Sequence, residues 1–109
     1  MKQNKISSLF DLTDKNIVIT GSAGLLGSQY AYTLSEAGAN VILIDVNKRE
    51  NIKLEKFLKQ KFHTKAKSYT GDISKKSELV EMKRKILDDF KTVYGLVNNA
   101  AYTAKGSRK

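Results

Sequence analysis

The sequence holds no cysteine and no proline. Without cysteine there is no disulfide and no thiolate metal site. The missing proline points to no particular function. The single histidine, His63, lies in a lysine-rich stretch and reads as a solvent-exposed residue rather than a ligand or a general base. No run of about 18 apolar residues occurs, which excludes a membrane-spanning helix. The opening Met1-Lys2-Gln3-Asn4-Lys5 leads into no apolar signal-peptide core. A cytoplasmic location is the resulting expectation. Arginine, the better bidentate ligand for phosphate, occurs only at 49, 84 and 108.

What remains is a chain of 109 residues, one domain at most. Its apolar content of 40% is ordinary for a globular protein, and its net charge of +9 invites an anionic partner. The lysines between 48 and 91 are spread over two helical stretches and their flanks rather than gathered in one arm. Glu55 with Lys59 and Glu81 with Lys85 stand four residues apart in the favourable order, as on exposed helix faces. The charge therefore reads first as a solvated surface. A nucleic-acid partner would reveal itself by a steep salt dependence, but no arginine cluster or RNA-reading motif supports one.

Hydrophobic patterning divides the chain into alternating elements. Met1 to Lys15 is a polar lead-in whose Leu9, Phe10 and Leu12 are expected to fold back over the rest. Asn16 to Thr20 is short, β-branched and bounded by polar and glycine signals, so it reads as a buried strand. Gly24 to Ala37 reads as a helix, with Leu25, Leu26, Tyr30, Leu34 and Ala37 at helical spacing and Gly38 as its stop. Asn40 to Val46 is a second buried strand, closed by Asp45. Lys48 to Phe62 is a second helix with Ile52, Leu54, Phe57, Leu58 and Phe62 as its apolar stripe. Ala66 to Thr70 is a weaker strand, followed by Gly71-Asp72-Ile73. Ser74 is the expected N-cap of a third helix that runs to Phe90, with Leu79, Met82, Ile86, Leu87 and Phe90 facing inward. Val93 to Asn98 is the fourth strand. The β-α-β-α-β-α-β alternation predicts an α/β fold, a parallel sheet in the order 3-2-1-4 with helices on both faces.

The glycines at 21, 24 and 27 stand where the first strand turns into the first helix. Gly21 permits a tight exit from the strand, Gly24 a close backbone approach to a phosphate, and Gly27 close packing of helix on sheet. A diphosphate placed there meets unpaired amides and the positive end of the helix dipole. An acidic residue, Asp45, closes the next strand, as this arrangement requires. Its carboxylate suits ribose hydroxyls and repels a 2′-phosphate, so NAD is favoured over NADP. Lys48 and Arg49 nearby weaken that preference. Asp45 and Asp72 each also suit a plainer role, as surface acids beside a strand end or a helix start. A Walker A loop is excluded, because Ser28 and Gln29 follow Gly27 where lysine and Ser/Thr are needed.

With Thr20 to Gly27, Asp45, Gly71-Asp72-Ile73 and Leu96-Val97-Asn98-Asn99-Ala100-Ala101 together, the chain resembles the short-chain dehydrogenase/reductases from about residue 9 to 102. Two departures mark it. Leu25 stands where the family's common T-G-x-x-x-G-x-G pattern has glycine, so the turn matches the T-G-x-x-G-x-x-G form of the extended members. Ala101 replaces the last glycine of N-N-A-G, a motif of the shorter members. The Ser-Leu-Phe-Asp-Leu lead-in also resembles oxidoreductases of bacterial surface-sugar or flagellin modification. The resemblance implies that Gly21, Gly24 and Gly27 hold the pyrophosphate with amides from Ser22 and Leu26. It further implies that Asp45 binds the adenosine ribose, that Asp72 and the Ile73 amide bind adenine, and that Asn98, Asn99 and Ala100 line the nucleotide.

The same resemblance implies a catalytic serine and a Tyr-x-x-x-Lys pair, and neither is found in this sequence. Tyr102-Thr103-Ala104-Lys105 has two intervening residues instead of three, so the i,i+4 relation is lost. The expectation is the cofactor-binding N-terminal part of an oxidoreductase, truncated after the fourth strand and inactive alone. A rival expectation is a stand-alone nucleotide-binding or regulatory module that needs a partner. The fourth strand would offer an unpaired edge, so self-association and marginal stability are expected.

Overall fold

The computed structural model describes residues 10–100. The lead-in before residue 10, Ala101, and the Tyr102 to Lys105 stretch lie outside the described residues. Four strands, β1 (Asn16–Thr20), β2 (Asn40–Asp45), β3 (Ala66–Thr70) and β4 (Gly95–Asn98), alternate with three helices, α1 (Leu25–Glu36), α2 (Lys48–Lys61) and α3 (Lys76–Phe90). The strands are all parallel and lie in the order β3-β2-β1-β4. The predicted class and strand order both hold. β1 sits between β2 and β4, so the crevice where the strand order reverses opens at its carboxyl end, beside the glycine turn.

The two inner strands, β1 and β2, are apolar on both sides because both sides are covered. Ile19, Val41 and Leu43 point to one face and pack with Ala31 of α1 and Leu58 of α2. Ile42, Ile44 and Tyr69 point to the other and pack with Met82, Ile86 and Phe90 of α3. This period of two along buried β2 is what allows one strand to feed two cores. The opposite end of the sheet is closed by side chains. Asn40 Nδ2 donates to Asn16 Oδ1 at 3.0 Å, Asn16 Nδ2 donates to the Thr92 carbonyl at 3.1 Å, and the Lys65 amide donates to Asn40 Oδ1 at 3.0 Å.

Several sequence expectations are corrected here. The buried face of α1 is Gly27, Ala31 and Ser35, while Leu25, Leu26 and Tyr30 are exposed. The helix start lies too close to the glycine turn for a side chain at Gly27, while Leu34 and Tyr32 pack at the margin of the core. In α2 the fully buried positions are Asn51 and Leu58, and Phe57 stands half out, stacked on Tyr32 at 6.1 Å. In α3 the inward row is Met82, Ile86 and Phe90; Leu79 and Leu87 face outward. Ser74 is not the cap of α3, because its hydroxyl is turned back onto Asp72 Oδ1 at 2.7 Å and Lys75 takes the cap position. β4 begins at Gly95, since its register with β1 starts at the Ile17–Gly95 pair. Lys59 pairs with Glu55 as expected, but Glu81 pairs with Arg84 at 2.7 Å rather than with Lys85.

Candidate cofactor site

The glycine turn leaves β1 with Gly21 at φ +67°, a left-handed conformation that favours glycine. A Cβ at Gly27 would lie 2.1 Å from the Gly21 carbonyl oxygen, so the first turn of α1 rests directly on the loop. Gly24 is different. Its φ of −77° suits any residue, and a Cβ there would meet nothing nearer than the Gly21 oxygen at 3.4 Å. Protein packing does not demand glycine at 24, so the space above it is available to a ligand.

The start of α1 is open in a second sense. Gly24 occupies the N-cap without a side-chain cap, and its first turn holds no acid. The amides of Leu25, Leu26 and Gly27 are thus the orphan donors of a helix N-terminus, with no carboxylate of the helix to neutralise them. The residues present therefore fit a diphosphate. The Ser22 amide, expected among these donors, is corrected: it donates to the Ile44 carbonyl at 3.2 Å, and the Ser22 side chain is fully buried. The Ala23 amide is also engaged, donating to Asp45 Oδ2 at 2.9 Å.

A cavity of about 250 Å³ opens beside the turn, lined by Thr20, Gly21, Ile44, Asp45, Val46, Gly71, Asp72, Ile73, Ser74 and Ala100. The structure thus brings Asp45, Asp72, Ile73 and Ala100 together around one hollow. The Asp72 carboxylate is held below the usual range, first by the Ser74 hydroxyl and then by the Ser74 amide. The Asp72 amide donates to Glu78 Oε1 at 2.8 Å. Asn98 and Asn99 stand beside the hollow rather than on its wall. Asn98 Oδ1 accepts from the Thr20 hydroxyl at 3.3 Å, and Asn99 Nδ2 donates to the Gly21 carbonyl at 3.3 Å. A larger hollow of about 420 Å³ lies at the outer edge of β3 among Lys67, Tyr69, Lys85 and Asp89. It holds no turn with free amides, so the donors mark the site and cavity size does not.

Two residues of this region escaped the sequence reading. The Thr20 hydroxyl accepts from the amides of both Asn99 and Ala100 at 3.0 Å, which fixes the end of β4 against the turn. Its place at the head of the glycine pattern was the available signal. Asn51 is fully buried and bonded to Ser22, and a lone polar residue on a helix gives no sequence signal of that kind.

Residues 15–109 match the family model for short chain dehydrogenases. The chain belongs to the short-chain dehydrogenase family. It is 37% identical over 90 residues to a diacetyl reductase, (S)-acetoin forming, of Staphylococcus epidermidis, covering 83% of this chain and 35% of that protein. It is 34% identical over 95 residues to an oxidoreductase of Haemophilus influenzae, covering 87% of this chain and 33% of that one. An NAD+-bound xylitol dehydrogenase superposes with a TM-score of 0.79 at 28% identity, over 84% of this chain and 35% of that one. This short-chain dehydrogenase chain spans about a third of the length of the relatives it matches. None of the three named relatives carries the finer resemblance to surface-sugar or flagellin modification. Among the described residues no helix is long and apolar enough to cross a membrane, and no group of acids and histidines is placed to hold a metal.

Proposed function

We propose that this chain is the NAD-binding N-terminal part of a cytoplasmic oxidoreductase that moves hydride to or from an alcohol, ketone or sugar-type substrate. The observation that carries the reading is the uncapped start of α1, where Gly24 leaves space that the protein does not use. The amides of Leu25, Leu26 and Gly27 would hold the diphosphate. Asp45, at the carboxyl end of β2 and on the cavity wall, would accept from the adenosine ribose. Asp72 and Ile73 would border the adenine, with Ala100 closing the far side. The bound nicotinamide would give hydride to, or take it from, the substrate carbon; the residues described here would bind and orient the nucleotide, and none is assigned to pass a proton to or from the substrate oxygen.

Relatives bound to NAD support the choice of cofactor, and an NADPH-dependent 3-quinuclidinone reductase of like fold keeps NADP within the family's range. The Tyr-x-x-x-Lys pair implied by the family is not in the 109-residue sequence, so the role proposed for these residues is nucleotide binding. Titration of the purified chain with NADH, followed by the nicotinamide fluorescence, tests the reading. Saturable binding, weaker for NADPH, is expected. The absence of binding to either would refute it.

A further inference from the structure

The buried contact between Ser22 and Asn51 belongs to no part of the nucleotide pocket wall. Asn51 lies in the first turns of α2 and is fully buried. A buried amide without partners is costly, so its bonds define what it does. Here every polar atom of Asn51 is used. Oδ1 accepts from the Ser22 hydroxyl at 2.6 Å, and Nδ2 donates to the carbonyls of Leu43 at 3.0 Å and Tyr69 at 3.4 Å. One side chain therefore joins the glycine turn, β2 and β3. The Ser22 hydroxyl also lies 3.2 Å from the Ile44 carbonyl, but it has one proton, and the shorter contact to Asn51 takes it.

The effect on the turn follows from its covalent geometry. Ser22 is fastened by its amide to Ile44 and by its hydroxyl to Asn51. The next residue, Ala23, is fastened to Asp45. Gly24 follows directly as the N-cap, so the two anchors set where the free amides of α1 begin. Without them a loop containing Gly21, Gly24 and Gly27 would sample many conformations.

We infer that Asn51, acting through Ser22, is a positioning residue that preorganises the phosphate-binding amides of Leu25 to Gly27. The inference rests on the cofactor reading above and extends it to a residue outside the pocket. Asn51 touches no ligand. It lowers the ordering cost of binding by holding the loop in its bound form beforehand. An isosteric Asn51→Asp replacement would turn a carboxylate onto two carbonyl oxygens. Ser22→Ala would leave Oδ1 of Asn51 without its donor.

The test compares the full chain with Ser22→Ala, Asn51→Asp and the double variant, measuring affinity for NADH, for ADP and for adenosine alongside the melting temperature. Each single variant is expected to weaken NADH and ADP about tenfold, the size of one lost buried hydrogen bond. Adenosine, which has no phosphate, is expected to bind unchanged, and the double variant to lose less than the two single losses combined. Unchanged NADH affinity in Ser22→Ala overturns the inference, as does an equal loss for adenosine. Ser22→Ala, the gentler change, decides the matter if Asn51→Asp fails to fold. Should the parent chain itself fail to bind NADH and NADPH, the cofactor reading falls; binding by the parent that both variants retain removes only the role of Asn51.

Discussion

The Asp45 carboxylate accepts from the Ala23 amide through Oδ2 at 2.9 Å and from the Asn47 amide through Oδ1 at 2.8 Å. The same group is the one expected to receive the ribose. It fixes Ala23 of the glycine turn, and in the proposed reading it would also supply the negative charge that discriminates against a 2′-phosphate.

An Asp45→Asn replacement should separate the charge from the shape. The side-chain amide keeps one acceptor oxygen but no longer repels a 2′-phosphate, and Lys48 and Arg49 lie just beyond it. NADH affinity should fall about tenfold, the scale of a hydrogen bond to a charged group, while the ratio of NADPH to NADH affinity rises. Parallel titrations with the two nucleotides give the ratio. A constant ratio would remove Asp45 as the discriminating residue.

Gly24 and Gly27 should respond in opposite ways to alanine. At Gly27 the new methyl would meet backbone at 2.1 Å, so folding should suffer by about 1–3 kcal/mol or more, as overpacked sites do. At Gly24 there is room, so stability should fall by no more than about 1 kcal/mol, the scale of alanine at an N-cap. NADH affinity should nevertheless fall about tenfold, because the methyl would intrude where the proposed site places the diphosphate. Urea melts and NADH titrations of both variants separate the cases. A Gly24→Ala chain that binds NADH as the parent does would show that no ligand approaches that backbone.

Acid and alkali should each weaken the fold, through different residues. The Asp89 carboxyl is held low by the Tyr69 hydroxyl, which donates to Asp89 Oδ2 at 2.6 Å, and next by Lys67. At Glu55 burial opposes the charge, but the Ser68 hydroxyl and amide and Lys59 outweigh it and leave the carboxyl below its usual value. Folded values below unfolded ones mean stability that is complete above about pH 4.5 and lost as pH falls through the folded range. Tyr69 is shifted the other way, upward, first by burial and then by its bond to Asp89. Its contribution is complete below about pH 10 and lost as pH rises beyond it. Thermal melts from about pH 3 to about pH 11 should trace both declines. Tyr69→Phe should remove a tyrosine that ionises above its ordinary range from an absorbance titration, and an unaltered curve would contradict the assignment.

The open side of β4 should make the chain self-associate. Among the described residues β4 pairs with β1 alone, and Leu96 at its centre is 62% exposed. An unpaired edge with an apolar residue is a template for a second strand. Sedimentation should show mass rising with concentration, and Leu96→Lys should suppress it. A monomer at every concentration tested would dismiss this edge as a contact.

The strands, their order and the glycine turn were legible in the sequence because each rests on a local pattern: β-branched runs, alternation with helices, and glycine at a strand-to-helix junction. The helix faces were not. Reading hydrophobicity in α1 selected Leu25, Leu26, Tyr30, Leu34 and Ala37; Leu34 does pack on the core, but the fully buried face is Gly27, Ala31 and Ser35, where smallness rather than apolarity matters. In α3 Leu79 and Leu87 matched the helical period as well as Met82 and Ile86 did, and only the sheet beneath decides between the two rows. Asn51 was invisible for another reason. Its partners Ser22, Leu43 and Tyr69 lie on three other elements, and no spacing along the chain brings them to notice.

The bridge from Asn16 through Asn40 to Lys65 ties together the pole of the sheet that lies away from the glycine turn. Those bonds join three chain segments, so opening one segment disturbs its neighbours. At the other pole the first amides of α1 have nothing to release. The turn beneath them is already fastened at Ser22 and Ala23, so a nucleotide settling there would meet donors in place rather than a loop still to be ordered.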